Sequence, residues 1–313
     1  MKSIQIKRYG SSDVMEVNNT VSIPNPPQGK ILVNVKASGV NPVDWKIREG
    51  HLQQVFPLQF PSTLGMDFSG VINQLGENVP SDFKQGDEVY GQASVFNGGS
   101  GAFAELALTN PDNIAHKPKT LNHLQAAALP LVGVTAWQAL VEFIGLSKDQ
   151  KILIHGGAGG IGPIAIQLAK QLGGYVATTV STNDKRFVEE LGANRVIDYK
   201  TENFEDIIHD YDAAFDTVGG DTYKRSSKVL KKGSGIIVSM LEQPNSELTN
   251  QYGVKSVFFF TQVNRQRLDK LAEWVDQNNV KVIVDKTFSL DEAASALDYQ
   301  KDVHPRGKVV LTV

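Results

Sequence analysis

Residues 149–170 read DQKILIHGGAGGIGPIAIQLAK: an apolar run, a cluster of glycines and an amphipathic stretch in immediate succession. Gly157, Gly159 and Gly162 fit G-x-G-x-x-G, a pattern that is weak alone because glycine also serves turns and close packing. Its surroundings give it weight. KILIH (151–155) reads as a strand. After the glycines, Ile161, Ile164, Ala165, Leu168, Ala169 and Leu172 recur at helical spacing as one apolar stripe able to pack on a sheet. Pro163 falls in the first turn, where a missing N–H costs nothing. The helix start is therefore free to offer backbone N–H groups and a partial positive charge to a pyrophosphate. Gly157, Ala158, Gly159, Gly160, Ile161 and Gly162 are predicted to cradle a dinucleotide, with an ordinary tight strand-to-helix turn as the alternative.

An NAD site places an acidic residue about 20 positions further on, at the tip of the second strand. Here YVATTV (175–180) is followed by STNDKR, with no Asp or Glu at the tip. Ser181, Thr182, Lys185 and Arg186 offer hydroxyls and positive charge suited to a 2′-phosphate, so NADPH is the expected cofactor. Asp184 lies beyond the tip and is assigned to the first turn of the next helix. Further strand and helix patterns alternate through RVIDY, AAFDTV and GIIVSM, which predicts βαβ units and a doubly wound parallel sheet. Upstream, short β-type runs such as KILVNVKASGV and FAELALT have no helices between them and predict a mostly antiparallel, barrel-like unit. The tail after residue 261 mixes helix and strand and is expected to return to that first unit. The fold class is thus α/β, with residues 1–121 and 262–313 as one domain and 122–261 as the other.

A length of 313 residues suits two cores rather than one. A net charge of −3 with scattered Lys and Arg argues against nucleic acid or anionic lipid as partners. The N-terminal residues lack the apolar core of a signal peptide and no stretch is long and apolar enough to span a bilayer, so a cytoplasmic protein is expected. With no cysteine, thiolate catalysis and sulfur-based zinc sites are excluded. None of the tyrosines is followed by Lys four residues later, no G-x-S-x-G elbow or phosphate-binding G-x-x-x-x-G-K occurs, and the six histidines show no metal-ligand spacing.

The stretch 149–170 resembles the signature of the quinone oxidoreductase (zeta-crystallin-like) branch of the medium-chain dehydrogenase/reductases, through Leu153, Gly157 to Gly160, Gly162, Gln167 and Lys170. ASGVNPVDWKIREG, GMDFSGVI, LPLVGVTAW, LGANRVIDY, FDTVGG and HPRGKVVL resemble further stretches of that family in the same order. The resemblance implies a GroES-like catalytic domain beside a Rossmann domain, with the nicotinamide held between them. Where zinc-dependent relatives carry Cys and a His-Glu pair, this chain has Ser38 and Met66-Asp67, so no metal is expected. Without that Lewis acid the implied acceptors are quinones and α,β-unsaturated carbonyls.

The same resemblance implies roles for individual residues. Asn41 would hydrogen-bond the cofactor or the substrate oxygen, and Asp44 with Lys46 would organise ribose hydroxyls or water. A turn built on Asn-Pro and a surface ion pair are the plainer readings. Thr135 would lie by the nicotinamide, Tyr199 by the adenosine phosphate, and Val218, Gly219, Met240 and Phe258 would line the cofactor site. The expected function is zinc-independent, NADPH-dependent hydride transfer to a quinone or enone; the alternative is an NADPH-binding sensor or structural protein without turnover. A homodimer joined through the strand VKSVFFF (254–260) is expected, because an open apolar edge invites pairing.

Overall fold

Ile152, Leu153 and Ile154 are each fully buried, the burial of a strand covered on both faces. In the computed structural model, which describes residues 1–313, strand Lys151–Ile154 lies within a six-stranded sheet. Arg195–Asp198, Tyr175–Val180, Lys151–Ile154, Ala213–Asp216, Ile236–Ser239 and Lys255–Phe258 follow one another across it, every pair parallel. This is the doubly wound order, with its switch point between Lys151–Ile154 and Ala213–Asp216. Helix Gly162–Gln171 buries Ile164, Ala165, Leu168 and Ala169, the stripe read from the sequence.

The other unit is built on the ten-residue strand Ile31–Val40, which pairs antiparallel with Asp67–Leu75, Leu106–Thr109 and Lys308–Thr312. Its register shifts twice against Asp67–Leu75, between Leu32 and Val33 and between Val35 and Ala37, local irregularities that bend a sheet toward closure. The expected antiparallel pattern has one exception: Val284–Ser289 runs parallel to Lys308–Thr312, since the helix Ala293–Val303 crosses between them. One core gathers Ile31, Val33, Phe68, Ile72 and Ile114. A second gathers Ile4, Ile47, Phe103, Leu297 and Leu311, so the C-terminal residues fill a core begun by the first few.

The chain divides at Leu131/Val132 and Gln262/Val263 into a unit of residues 1–131 with 263–313 and a unit of residues 132–262. The first division falls later than the 121/122 division drawn from composition. Helix His123–Ala127 has the Ala-rich texture of the second unit, yet it packs on strands of the first, and a Cβ on Gly39 would meet Ala127 O at 2.3 Å.

Candidate functional site

In the second unit every sheet strand points the same way, so their carboxyl ends share one edge, where doubly wound sheets bind ligands. The glycine loop follows Lys151–Ile154, Ser181 and Thr182 follow Tyr175–Val180, and Tyr199 follows Arg195–Asp198. Val218 and Gly219 follow Ala213–Asp216, Met240 follows Ile236–Ser239, and Phe258 ends the last strand. The structure therefore gathers these candidates along one edge, although the chain spreads them widely.

Local hydrogen bonds shape that edge. Thr178 Oγ1 donates to Ile154 O (2.7 Å), and an added Cβ on Gly157 would lie 2.2 Å from that hydroxyl. A Cβ on Gly162 would lie 2.4 Å from Gly156 O. Both glycines are required for the loop to fold onto its strand. Gly159 differs, since a Cβ there would meet only Gly156 O, at 3.5 Å. Its backbone borders open space, and Ala158, Gly160 and Ile161 are likewise only half-buried, as a phosphate cradle needs. A dinucleotide pyrophosphate fits this loop.

His155, just before the loop, is fully buried. Ser226 Oγ donates to Thr222 O, so it accepts from His155 Nε2 (2.8 Å), and Nδ1 accepts from Thr179 Oγ1 (3.1 Å). Burial pushes the ring down to about 3, so it stays neutral. Asp216 plays the matching part on the neighbouring strand, accepting from Val218 N (3.1 Å), Gly219 N (2.9 Å) and Ser239 Oγ (2.7 Å). Sequence reading passed over both, because a buried polar group that shapes a loop has no motif of its own.

At the second strand tip, Ser181 Oγ donates to Asp184 Oδ2 (2.7 Å) and Thr182 Oγ1 to Asp198 Oδ2 (2.5 Å). Lys185 Nζ lies 3.6 Å from Asp198 Oδ2 and 3.8 Å from Glu202 Oε2, while Arg186 reaches outward to Glu190. Asp198, missed in the sequence, is held below the usual carboxylate range, first by the Thr182 hydroxyl. Tyr199 is 60% exposed, directly after strand Arg195–Asp198. Val218 is 54% exposed. Thr135 is buried in helix Pro130–Trp137, its hydroxyl 2.7 Å from that of Thr261.

In the first unit, Asn41 caps helix Pro42–Arg48: its N–H donates to Asp44 Oδ2 (2.7 Å) in a capping box. Asn41 Nδ2 donates to Asp67 Oδ2 (3.0 Å), and its Oδ1 accepts from Lys308 Nζ, which also donates to Val40 O. Asn41, Asp44, Asp67 and Lys308 are each at most 4% exposed. The Asn41 side chain is buried and both its amide ends are engaged within the chain, so the expected hydrogen bond to cofactor or substrate would have to replace one of these. Asn41 instead touches the other three members of a buried cluster. Lys46 is not brought in; its ammonium lies 5.6 Å from the centre of the Trp45 ring. Asp67 and Lys308 were not linked to Asn41 in the sequence because only the fold brings them to it.

A small cavity in this unit, with room for about one water, is lined by Asp44, Ile47, Leu58, Met66 and Phe96, with Ser94 and Thr63 beside them. The positions where zinc-dependent relatives hold metal do not fit zinc. Ser38 Oγ donates to Asp67 O (2.7 Å), Met66 offers only a thioether, and Asp67 already accepts from Asn41, Gln92 (2.8 Å) and Leu131 N (3.1 Å). No three His, Cys, Asp or Glu side chains gather as a metal would require.

Residues 27–119 match the alcohol dehydrogenase GroES-like domain, and residues 191–311 match the family described as zinc-binding dehydrogenase. The chain is 35% identical to 2-methylene-furan-3-one reductase of Solanum lycopersicum, over 99% of this chain and 79% of that protein. It is equally similar, with the same coverage, to the chloroplastic NADPH-dependent alkenal/one oxidoreductase of Arabidopsis thaliana. The quinone oxidoreductase of Coxiella burnetii superposes with a TM-score of 0.88 at 35% identity, over 100% of this chain and 99% of that one. The Escherichia coli quinone oxidoreductase complexed with NADPH superposes with a TM-score of 0.88 at 27% identity, over the full length of both chains. With a GroES-like unit lacking zinc ligands, a Rossmann unit for a nicotinamide cofactor and relatives matched nearly end to end, the chain belongs to the zinc-independent quinone oxidoreductase family of the medium-chain dehydrogenase/reductases.

Proposed function

We propose that this protein is an NADPH-dependent reductase of quinones and α,β-unsaturated carbonyls. The observation that carries this reading is Asp67, which stands where a Lewis acid would be held and is wrapped by three hydrogen-bond donors instead. An isolated ketone or alcohol then lacks the polarisation it needs, whereas a conjugated acceptor spreads the arriving charge onto an oxygen that neutral donors can hold. The names of the tomato and Arabidopsis relatives, both reductases of conjugated carbonyl compounds, support the same substrate class.

When bound, the reduced nicotinamide supplies a hydride. The chain's part at that end is to hold the pyrophosphate on the loop Gly157–Gly162 and the 2′-phosphate on Ser181, Thr182, Lys185 and Arg186, with Thr135, Tyr199, Val218, Gly219, Met240 and Phe258 as the remaining contacts. At the acceptor end Asn41, Asp44 and Lys46 remain the candidates. Steady-state oxidation of NADPH and NADH with a panel of quinones, enones and simple alcohols tests the reading. Turnover is expected with NADPH plus quinone or enone, with little activity toward alcohols plus NADP. Lys185→Ala should weaken NADPH much more than NADH. NADPH binding without turnover on any acceptor would favour the sensor reading, and equal loss of both cofactors would remove Lys185 from the phosphate site. No helix is long and apolar enough to cross a membrane. A cytoplasmic place is part of the proposal, to be checked by fractionation because the Arabidopsis relative is chloroplastic.

A further inference from the structure

The tip of strand Tyr175–Val180 carries four groups suited to a 2′-phosphate, and in the folded chain each of them is turned to a carboxylate. Ser181 Oγ donates to Asp184 Oδ2 (2.7 Å), and Thr182 Oγ1 donates to Asp198 Oδ2 (2.5 Å). A hydroxyl has one hydrogen to give, so toward a ligand these two offer lone pairs. Lys185 Nζ stands 3.6 Å from Asp198 Oδ2 and 3.8 Å from Glu202 Oε2, and Arg186 Nε lies 2.9 Å from Glu190 Oε1. Between them the four groups carry two positive charges and meet four acids.

These acids differ in weight. Arg186 and Glu190 are 90% and 57% exposed, a surface pair that solvent screens. Asp198 is buried and held at both oxygens: Oδ1 accepts from Lys200 N (3.1 Å), while Oδ2 accepts from Thr182 and faces Lys185. Register sets Asp198 beside Val180, the last residue of the neighbouring strand. The acid that an NAD site carries at its second strand tip is absent there, and the third strand brings one alongside. Asp184 stands at the N-cap of helix Lys185–Glu190, yet its side chain makes no capping bond and takes the Ser181 hydroxyl.

A ribose hydroxyl and a phosphate meet this arrangement differently. A hydroxyl brings its own hydrogen, which a lone pair of Ser181 or Thr182, or a carboxylate, accepts with every existing bond kept. A phosphate monoester brings acceptors and a charge of about −2. To bind it, Thr182 must withdraw its hydrogen from Asp198 and Lys185 must share its ammonium. Asp198 is then left with one donor fewer and beside a like charge.

We propose that Asp198, seconded by Asp184, is a specificity-determining residue that opposes the 2′-phosphate, so that the tip admits NADH alongside NADPH. This rests on the functional reading above, in which Ser181, Thr182, Lys185 and Arg186 meet the 2′-phosphate, and deepens it. Lys185 draws the phosphate in, and Asp198 limits how far NADPH is preferred.

The test is a calorimetric titration of NADPH and of NADH into the full-length parent, Asp198→Asn, Asp184→Asn and Lys185→Ala, with no acceptor present. Both cofactors should bind the parent. Asp198→Asn keeps the size and an accepting oxygen but loses the charge, and should raise the preference for NADPH over NADH by about tenfold, the scale of one like-charge contact screened by solvent. Asp184→Asn should move the preference the same way by a smaller factor. A merely structural defect weakens both cofactors alike and leaves their ratio unmoved, so the ratio of the two Kd values is the readout. A preference for NADPH that is unchanged or lowered in Asp198→Asn overturns the proposal, as does a parent that binds NADPH and no NADH. Where Asp198→Asn does not fold, Asp184→Asn decides by the same criterion. Equal weakening of both cofactors by Lys185→Ala is a separate failure: the functional reading of this tip then falls, and the proposal with it.

Discussion

A Cβ on Gly162 would stand 2.4 Å from Gly156 O and 2.6 Å from Gly157 Cα, both backbone atoms that cannot swing aside. Gly159 has no such neighbour. Gly162→Ala should therefore lower unfolding stability by about 1–3 kcal/mol, the scale of overpacking. Gly159→Ala should leave denaturant midpoints unchanged yet weaken NADPH binding, because its methyl would enter the space a pyrophosphate needs. Calorimetry and a binding titration on the two variants separate the effects, and unimpaired binding by Gly159→Ala would remove that glycine from the cradle. This loop was legible in the sequence because its constraints are local, a strand, a tight turn and a helix start within a few residues. The acid cluster was not. Asn41 meets Asp67 26 residues away and Lys308 267 residues away, and in sequence Lys308 is one Lys before an apolar strand.

The strand Lys255–Phe258 is the edge of the parallel sheet, as its sequence suggested, and the nearby Phe260 is 73% exposed. Lys255 N donates inward to Gly235 O and Phe259 N to Ser239 O, so alternation turns the N–H groups of Ser256 and Phe258 outward. A homodimer that continues the sheet would use those outward groups, and light scattering should give twice the chain mass. Phe258→Pro removes an outward donor while sparing the inward bonds, and should yield the single-chain mass. A parent that is monomeric at micromolar concentration would refute this pairing. Strand positions were largely readable because apolar runs between Gly and Pro are a strong local signal. Strand partners were less so: the parallel run of Val284–Ser289 beside Lys308–Thr312 depends on a helix crossing between them.

For the molecule as a whole, buried groups set opposing responses to acid, His155 on one side and the carboxyls of Asp44 and Asp67 on the other. His155 moves from about 6.5 in the unfolded chain to about 3 in the native one, so the unfolded chain alone binds a proton within that window. Its contribution is intact above the upper value and is lost as pH falls, by about 1.4 kcal/mol per pH unit. Asp44 rises from about 3.8 to about 7, so the native protein holds the extra proton and stability falls as pH rises through that window. Between about pH 4 and about pH 6.5 the Asp44 slope opposes that of His155, and Asp67, raised by burial, acts in the same direction as Asp44. Asp44→Asn should expose the His155 slope: urea unfolding of the variant should weaken, relative to the parent, by up to about 1.4 kcal/mol for each unit of acidification in that range. Identical slopes would show that Asp44 is ionised in the folded state. The return of residues 263–313 to the first unit also has a consequence for biosynthesis. Lys308 emerges from the ribosome after the whole nucleotide-binding unit, which is free to fold first. A nascent or prematurely terminated chain would then hold a finished glycine loop while Asn41, Asp44 and Asp67 still wait for Lys308, so the loop of the second unit is complete before the buried ionic cluster of the first.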